Sequence, residues 1–248
     1  MFSRIPTKTP EEIEKIAEAG KIARAALDEV LGNVKVGITT LGLNKIVEEF
    51  IAGSSAEPGF KTVEEYGFAS CINVNDGLVH GIPGDYSLQA GDLVSIDLGV
   101  LLDGWHSDLS YTVEVETSEY DNFLQVGKDA LEAGISEFKV GNKIGDVGYA
   151  IQKVVEDAGY TVSRDLVGHG VGRELHEEPY VPGYGEPGTG FEIKEGMVFA
   201  IEVIYQMGDP EIAILEDDWT IVTADGSLAA LFEHTVAATR EGPRILTL

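Results

Sequence analysis

Leu93-Val94-Ser95-Ile96-Asp97-Leu98-Gly99-Val100-Leu101-Leu102 is an apolar run with one carboxylate in its middle. Such a run reads as a buried strand, where an ionised carboxylate without a partner is strongly disfavoured. Asp103-Gly104 follows, a two-residue hairpin turn signal, and residues 105–115 form the return strand carrying Asp108. That turn fixes the register: Asp97 faces Ser110 and Asp108 faces Gly99. Partners across an antiparallel ladder share a face, so the two carboxylates sit diagonally on one face, roughly 5–8 Å apart. Residues 197–205 and 229–238 repeat the pattern, with Glu202 and Glu233 as the lone acids. An acid at a sheet edge would account for any single case. Three apolar stretches each interrupted by a carboxylate point to a shared positive partner, because a bound cation relieves both burial and mutual repulsion.

The histidines extend the set. His80, His169 and His176 lie in Val79-His80-Gly81-Ile82-Pro83, Gly168-His169-Gly170-Val171-Gly172 and Leu175-His176-Glu177-Glu178-Pro179. Gly- and Pro-rich contexts of this kind often carry function. The glycine run excludes a stable helix, so His169 is expected on a loop or bent strand. His234 points opposite to Glu233 on its strand and His106 has no evident partner, so both are set aside. Four carboxylates and one histidine make an oxygen-rich donor set. That disfavours a structural zinc site and suits Mn, Fe or Co, or a two-metal hydrolytic site. His-Glu-x-x-His, Gly-x-Ser-x-Gly and a phosphate-binding glycine loop are all absent from the sequence.

Helices must hold these strands. Thr9-Pro10-Glu11-Glu12 is a helix start with a cap, a first-turn proline and a capping box. Apolar residues then recur with helical period from Ile13 to Leu31, and Gly32-Asn33 stops them. A second helix begins near Thr40. Ser118 is expected to open a third, running through Phe123, Leu131 and Ile135, and a fourth includes Lys153 to Asp157. Phe138-Lys139-Val140-Gly141 echoes Val34-Lys35-Val36-Gly37. Each helix pair is followed by strands. The expectation is therefore an α+β chain of two similar halves, about 9–116 and 117–248, sharing one curved antiparallel sheet with helices outside. No low-complexity linker divides them, so 1–248 is read as a single catalytic domain.

Composition bounds the rest. With 17 basic and 43 acidic residues the formal charge is −26, which opposes direct nucleic-acid binding. No long apolar stretch suited to a membrane span appears, and the opening Met1-Phe2-Ser3-Arg4-Ile5-Pro6 has no apolar leader. Cys71 is the only cysteine, so no intramolecular disulfide forms. The expected setting is the cytoplasm.

Leu78-Val79-His80-Gly81-Ile82-Pro83, Ser95-Ile96-Asp97, Ser107-Asp108, Gly168-His169-Gly170-Val171-Gly172, Leu175-His176-Glu177, Phe199-Ala200-Ile201-Glu202 and Phe232-Glu233-His234-Thr235 together resemble the type I methionine aminopeptidases. The resemblance spans nearly the whole chain and implies the pita-bread fold. It implies a hydrolase that removes the initiator methionine from the N-terminal peptide of nascent proteins, close to the ribosome, as a monomer. Two divalent ions (Co, Fe, Mn or Zn) are implied, with Asp97 on one, Asp108 and Glu233 bridging, and His169 and Glu202 on the other. His80 and His176 would contact substrate, while Cys71, Trp219 and Tyr66 would line the methionine pocket. A monovalent cation is implied on backbone carbonyls near Asn75, Gly77 and Ala229. Val203-Ile204 and residues 61–70 depart from the family pattern and are expected at the pocket wall.

From this ligand set the expected mechanism is attack by a metal-activated water on the first peptide bond. Glu202 would shuttle the proton, and His176 with His80 would stabilise charge on the carbonyl oxygen. Two alternatives stand beside it: an X-Pro aminopeptidase or prolidase of the same fold, and a non-catalytic binding module, which would be expected to have lost ligands.

Overall fold

The computed structural model describes residues 5–248; residues 1–4, part of the segment read as lacking a leader, lie outside the described residues. Thr9 caps α1 (Pro10–Leu31) as expected, its hydroxyl accepting from the Glu12 amide at 3.3 Å while Glu12 accepts from the Thr9 amide at 2.9 Å. After α1 come α2 (Thr40–Gly53), β1 (Glu57–Pro58), a 3-10 turn (Gly59–Thr62), β2 (Ser70–Val74), β3 (Gly77–Val79), β4 (Leu93–Leu102) and β5 (Trp105–Glu114). The second half follows with α3 (Asp121–Glu137), α4 (Ile144–Asp157), β6 (Thr161–Val162), β7 (Gly168–Gly170), β8 (Glu177–Val181) and β9 (Val198–Gln206). It closes with β10 (Ile212–Ile214), β11 (Ile221–Thr223), β12 (Ala229–Thr239) and β13 (Gly242–Ile245). No helix among the described residues is long and apolar enough to cross a membrane.

A ten-stranded sheet runs in the order β1-β4-β5-β12-β9-β7-β8, with β2 on β4, β6 on β9 and β13 on β12. Every pairing is antiparallel. Both halves place two helices before their strands. The echoed segments occupy matching positions between the helices of each pair. Gly37 and Gly141 both have positive φ, 89° and 96°, and both amides donate at 2.9 Å, to Leu88 and Ile193.

Alternation sorts the strands. Ile96, Leu98 and Leu109 point into a core formed with α1 and α2 through Leu27, Val30, Leu43 and Val47. Phe199, Ile201, Val203 and Phe232 point into a second core with Phe123, Leu131, Val147 and Ile151 of α3 and α4. Successive side chains of a strand face opposite ways, so Asp97, Asp108, Glu202 and Glu233 all project from the sheet face away from the helices.

One boundary differs from expectation. α3 begins at Asp121, not at Ser118, and its N-cap residue Tyr120 supplies no side-chain bond. The Glu114 carboxylate, at the end of β5, accepts from the amides of Glu119 and Tyr120 at 2.9 and 2.8 Å. An acceptor from a neighbouring strand satisfies those amides, so Ser118 has no capping role.

Candidate metal centre

The β4–β5 hairpin keeps the expected register: Asp97 opposes Ser110 and Gly99 opposes Asp108. Its turn residues Asp103 and Gly104 both have positive φ, 50° and 77°, as a type I′ turn requires. β12 then joins the halves, with Glu233 opposite Ser110, and β9 adds Glu202 opposite Glu233. One row across four strands therefore reads Asp97, Ser110, Glu233, Glu202. The adjacent row on the same face carries Asp108, Thr235, Ala200 and His169. Thr235 Oγ1 accepts from the Asp108 amide and donates to its carbonyl, both at 2.8 Å, while Ala200 pairs with Thr235 and with His169. His169 lies on β7 at a register shift, a bent strand as expected. A Cβ at Gly168 would run into the Ala200 carbonyl, so glycine beside His169 lets β7 close on β9.

The donors converge. His169, Glu202 and Glu233 offer ligand atoms within 4.8 Å of one another, and so do Asp97, Asp108 and Glu233; Asp108, His169 and His176 form a third such group. His169 Nε2 lies 3.6 Å from Asp108 Oδ2. Its Nδ1 sits 2.9 Å from the Gly170 carbonyl; an N–H donated there leaves Nε2 as the free ligand atom. Glu202 directly opposite Glu233 is a like-charge pair, which a sheet tolerates only with compensation.

Electrostatics measures that conflict. Burial pushes the Glu202 carboxyl up to about 7, with Asp108 adding to the rise and His169 opposing it. Asp97 and Glu233 are also raised, first by burial and then by the neighbouring carboxylates. Burial draws His169 down, but its contact with Asp108 outweighs that and raises it. His80 is lowered by burial, and His176 is lowered to about 4 by desolvation and by His169. Asp97 Oδ1 and Glu233 Oε1 are buried with no hydrogen-bond partner among the described residues. Buried carboxylate oxygens without partners, on residues whose ligand atoms gather within 4.8 Å, fit a divalent cation set.

The ten residues expected at the divalent metals, the substrate and the methionine pocket line one cavity of about 410 Å³: Tyr66, Cys71, His80, Asp97, Asp108, His169, His176, Glu202, Trp219 and Glu233. Tyr66 and Trp219 meet edge to face with centroids 5.0 Å apart, and Cys71 opposes Asp97 across β2 and β4. His80 has φ +58°, a conformation uncommon outside glycine; the next amide, Gly81, is pinned by Asn73 Oδ1 at 2.8 Å. His106 and His234 are not among the lining residues, and His234 Nδ1 instead meets Thr247 Oγ1 at 2.9 Å. Asn75 and Ala229, expected near a monovalent cation, are joined by a 2.9 Å backbone bond.

Sequence reasoning missed Phe60, Val79 and Leu175 on the cavity wall. Phe60 comes from the 3-10 turn and Leu175 from a loop, where no periodicity marks them, although Leu175 adjoins His176. Of the departure Val203-Ile204, expected at the wall, only Ile204 lines the cavity; Val203 is buried in the α3–α4 core, because it alternates with Glu202. From residues 61–70 only Val63 and Tyr66 reach it.

Residues 14–240 match the sequence signature of metallopeptidase family M24. The chain belongs to this family. This M24 metallopeptidase is 44% identical to a methionine aminopeptidase of Clostridium perfringens over 97% of its own length and 98% of the relative's. It superposes on the crystal structure of methionine aminopeptidase from Thermotoga maritima with a TM-score of 0.96 at 43% identity, covering 98% of this chain and 99% of that one. A prolidase from Pyrococcus furiosus is more distant, with a TM-score of 0.79 and 27% identity over 99% of this chain but 66% of the prolidase. The M24 metallopeptidase thus has the expected pita-bread architecture.

Proposed function

We propose that this M24 metallopeptidase is an aminopeptidase that removes N-terminal methionine, with Asp97, Asp108, His169, Glu202 and Glu233 holding a pair of divalent cations. The observation that carries the site assignment is the meeting of those five side chains, contributed by both halves, on one sheet face. Glu233 belongs to two of the three donor groups, one with Asp97 and Asp108 and the other with His169 and Glu202. Asp108 and His169 also belong to two groups each. Of these three, the two carboxylates have a second oxygen to offer, which supports Glu233 and Asp108 as the residues that would be shared between the cations.

Divalent cations held there supply Lewis acidity and bring the pKa of water toward neutrality. The chain's own groups do the remaining work. Glu202, facing Glu233 across β9 and β12, is the carboxylate that would take a proton from the attacking water and pass it to the leaving amine. His80 and His176, both lowered, are neutral imidazoles there, and each can donate one N–H to the carbonyl oxygen as charge develops. Phe60, Tyr66, Cys71, Leu175 and Trp219 form an apolar lining suited to an unbranched thioether side chain. The same reading places the enzyme in the cytoplasm, acting as a monomer on the N-terminal peptides of new proteins.

The test is turnover of Met-Ala-Ser against Ala-Pro-Ala by the metal-loaded chain. Release of methionine from the first with little cleavage of the second is expected; preferential cleavage of Ala-Pro-Ala would establish the X-Pro reading instead.

A further inference from the structure

Lys8 and Glu177 form an ion pair that the mechanism does not use. Lys8 Nζ lies 2.6 Å from Glu177 Oε2, and the two side chains are only 6% and 12% exposed. The residues are 169 positions apart. Burying such a pair contributes little net stability, since desolvation offsets the attraction. What it does contribute is direction. Glu177 Oε1 accepts from the Arg173 amide at 2.6 Å and more distantly from the Glu174 amide at 3.4 Å. The 171–176 loop therefore folds around the carboxylate that Lys8 orients. Lys8 is itself fixed, donating its amide to the Gly196 carbonyl at 2.7 Å, in the turn just ahead of β9 and Glu202. Gly172 completes the arrangement: a Cβ there would come within 2.5 Å of Glu177 Oε1 and 2.6 Å of Lys8 Cε. His176 precedes Glu177 in the chain, and its ring centroid lies 4.4 Å from that of His169.

We propose that Lys8 is a positioning residue for His176, acting through Glu177, so that the segment ahead of α1 sets the histidine facing the reacting carbonyl. This rests on the reading that His176 contacts substrate. Arg173, stacked 3.8 Å over Trp105, steadies the outer side of the same loop, whereas Lys8 holds its inner side.

The test is a double-mutant cycle on the metal-loaded full chain, with kcat, KM, melting temperature and metal content measured for every variant. Lys8→Met is expected to lower kcat about tenfold with KM within about twofold and metal content unchanged. In a His176→Ala background the same change should alter kcat less than about twofold, because the group it positions is gone. A structural staple would instead lower the melting temperature equally in both backgrounds and leave kcat of the folded fraction alone. If Lys8→Met does not fold, K8M/E177Q removes both charges at nearly constant volume and must show the same loss of kcat. Normal kcat in a folded variant, or an equal loss in both backgrounds, overturns the proposal. Full activity of His176→Ala overturns the reading of His176 and this proposal with it; a crippled His176→Ala beside a silent Lys8→Met overturns this proposal alone.

Discussion

Glu202 is the residue whose two neighbours pull it in opposite directions, His169 favouring its charged form and Asp108 its neutral one, with burial adding to the second. In the metal-free chain that balance lets Glu202 hold or release a proton near neutrality, and its place in the donor set makes it the proposed proton carrier once cations are bound. Glu202→Gln keeps the shape and one oxygen donor but removes the proton site, so kcat should fall by about 10²–10⁴-fold with KM nearly unchanged; peptide turnover together with metal analysis checks this. A variant that retains kcat with full metal content would assign the proton transfer elsewhere. Asp97, Glu202 and Glu233 were legible because each interrupts an apolar run, where an isolated charge among buried side chains demands a partner, and Asp108 followed from the hairpin register that puts it on the face of Asp97. The Lys8–Glu177 pair was not legible. Nothing local in either segment marks a contact spanning 169 positions.

At the scale of elements, the hairpin was readable to the residue pair because a two-residue turn leaves one register that keeps the apolar side chains on the core side. β4 ends where the sequence placed it, at Leu102. The start of α3 was not readable, since the amides just ahead of it, those of Glu119 and Tyr120, are held by Glu114 from the end of β5 and no local side chain caps the helix. Glu114→Ala should cost about 0.5–1.5 kcal/mol by removing that acceptor, whereas Ser118→Ala should stay within about 0.5 kcal/mol. Urea denaturation of the two variants compares them directly; equal effects would return the capping role to Ser118. The pocket wall from Phe60 and Leu175 was likewise hidden, because 3-10 turns and loops carry no hydrophobic period to read.

Across the whole molecule, the site stores charge repulsion that a cation removes. The carboxyl of Glu202 is raised from its ordinary 4.5 to about 7, and those of Asp97 and Glu233 are raised as well. The folded, metal-free chain therefore binds more protons than the unfolded chain between roughly pH 4.5 and 7, so this contribution to stability is fully present below that window and lost as pH rises through it. Relative to metal-loaded protein, chelated protein should lose stability from pH 5 to pH 7.5, because cations replace the protons and bind better as the ligands ionise. His80, His106, His176 and His234, all lowered by burial, act in the opposite sense in both forms, so the difference between the curves is the quantity read. Urea midpoints at several pH values, with chelator and with divalent cation at equal ionic strength, measure the widening gap. Parallel curves would mean that the raised carboxyls are not the cation ligands. The formal charge of −26 tilts both curves alike, so the comparison isolates the site.

The seam between the halves has one more consequence. β5 and β12 meet through only two register pairs, Glu233 with Ser110 and His234 with Leu109, whereas β4 and β5 share ten and β9 and β12 share nine. Each half brings its own pair of helices and its own core, but neither owns a complete donor set. β3 pairing with β11 and the cluster of Ile13, Trp105, Val198 and Ala237 also cross the division. Two polypeptides divided within 115–120 should therefore associate even in chelator yet work as a peptidase only when divalent ions are supplied, the cation being the rivet of a joint that packing alone already closes.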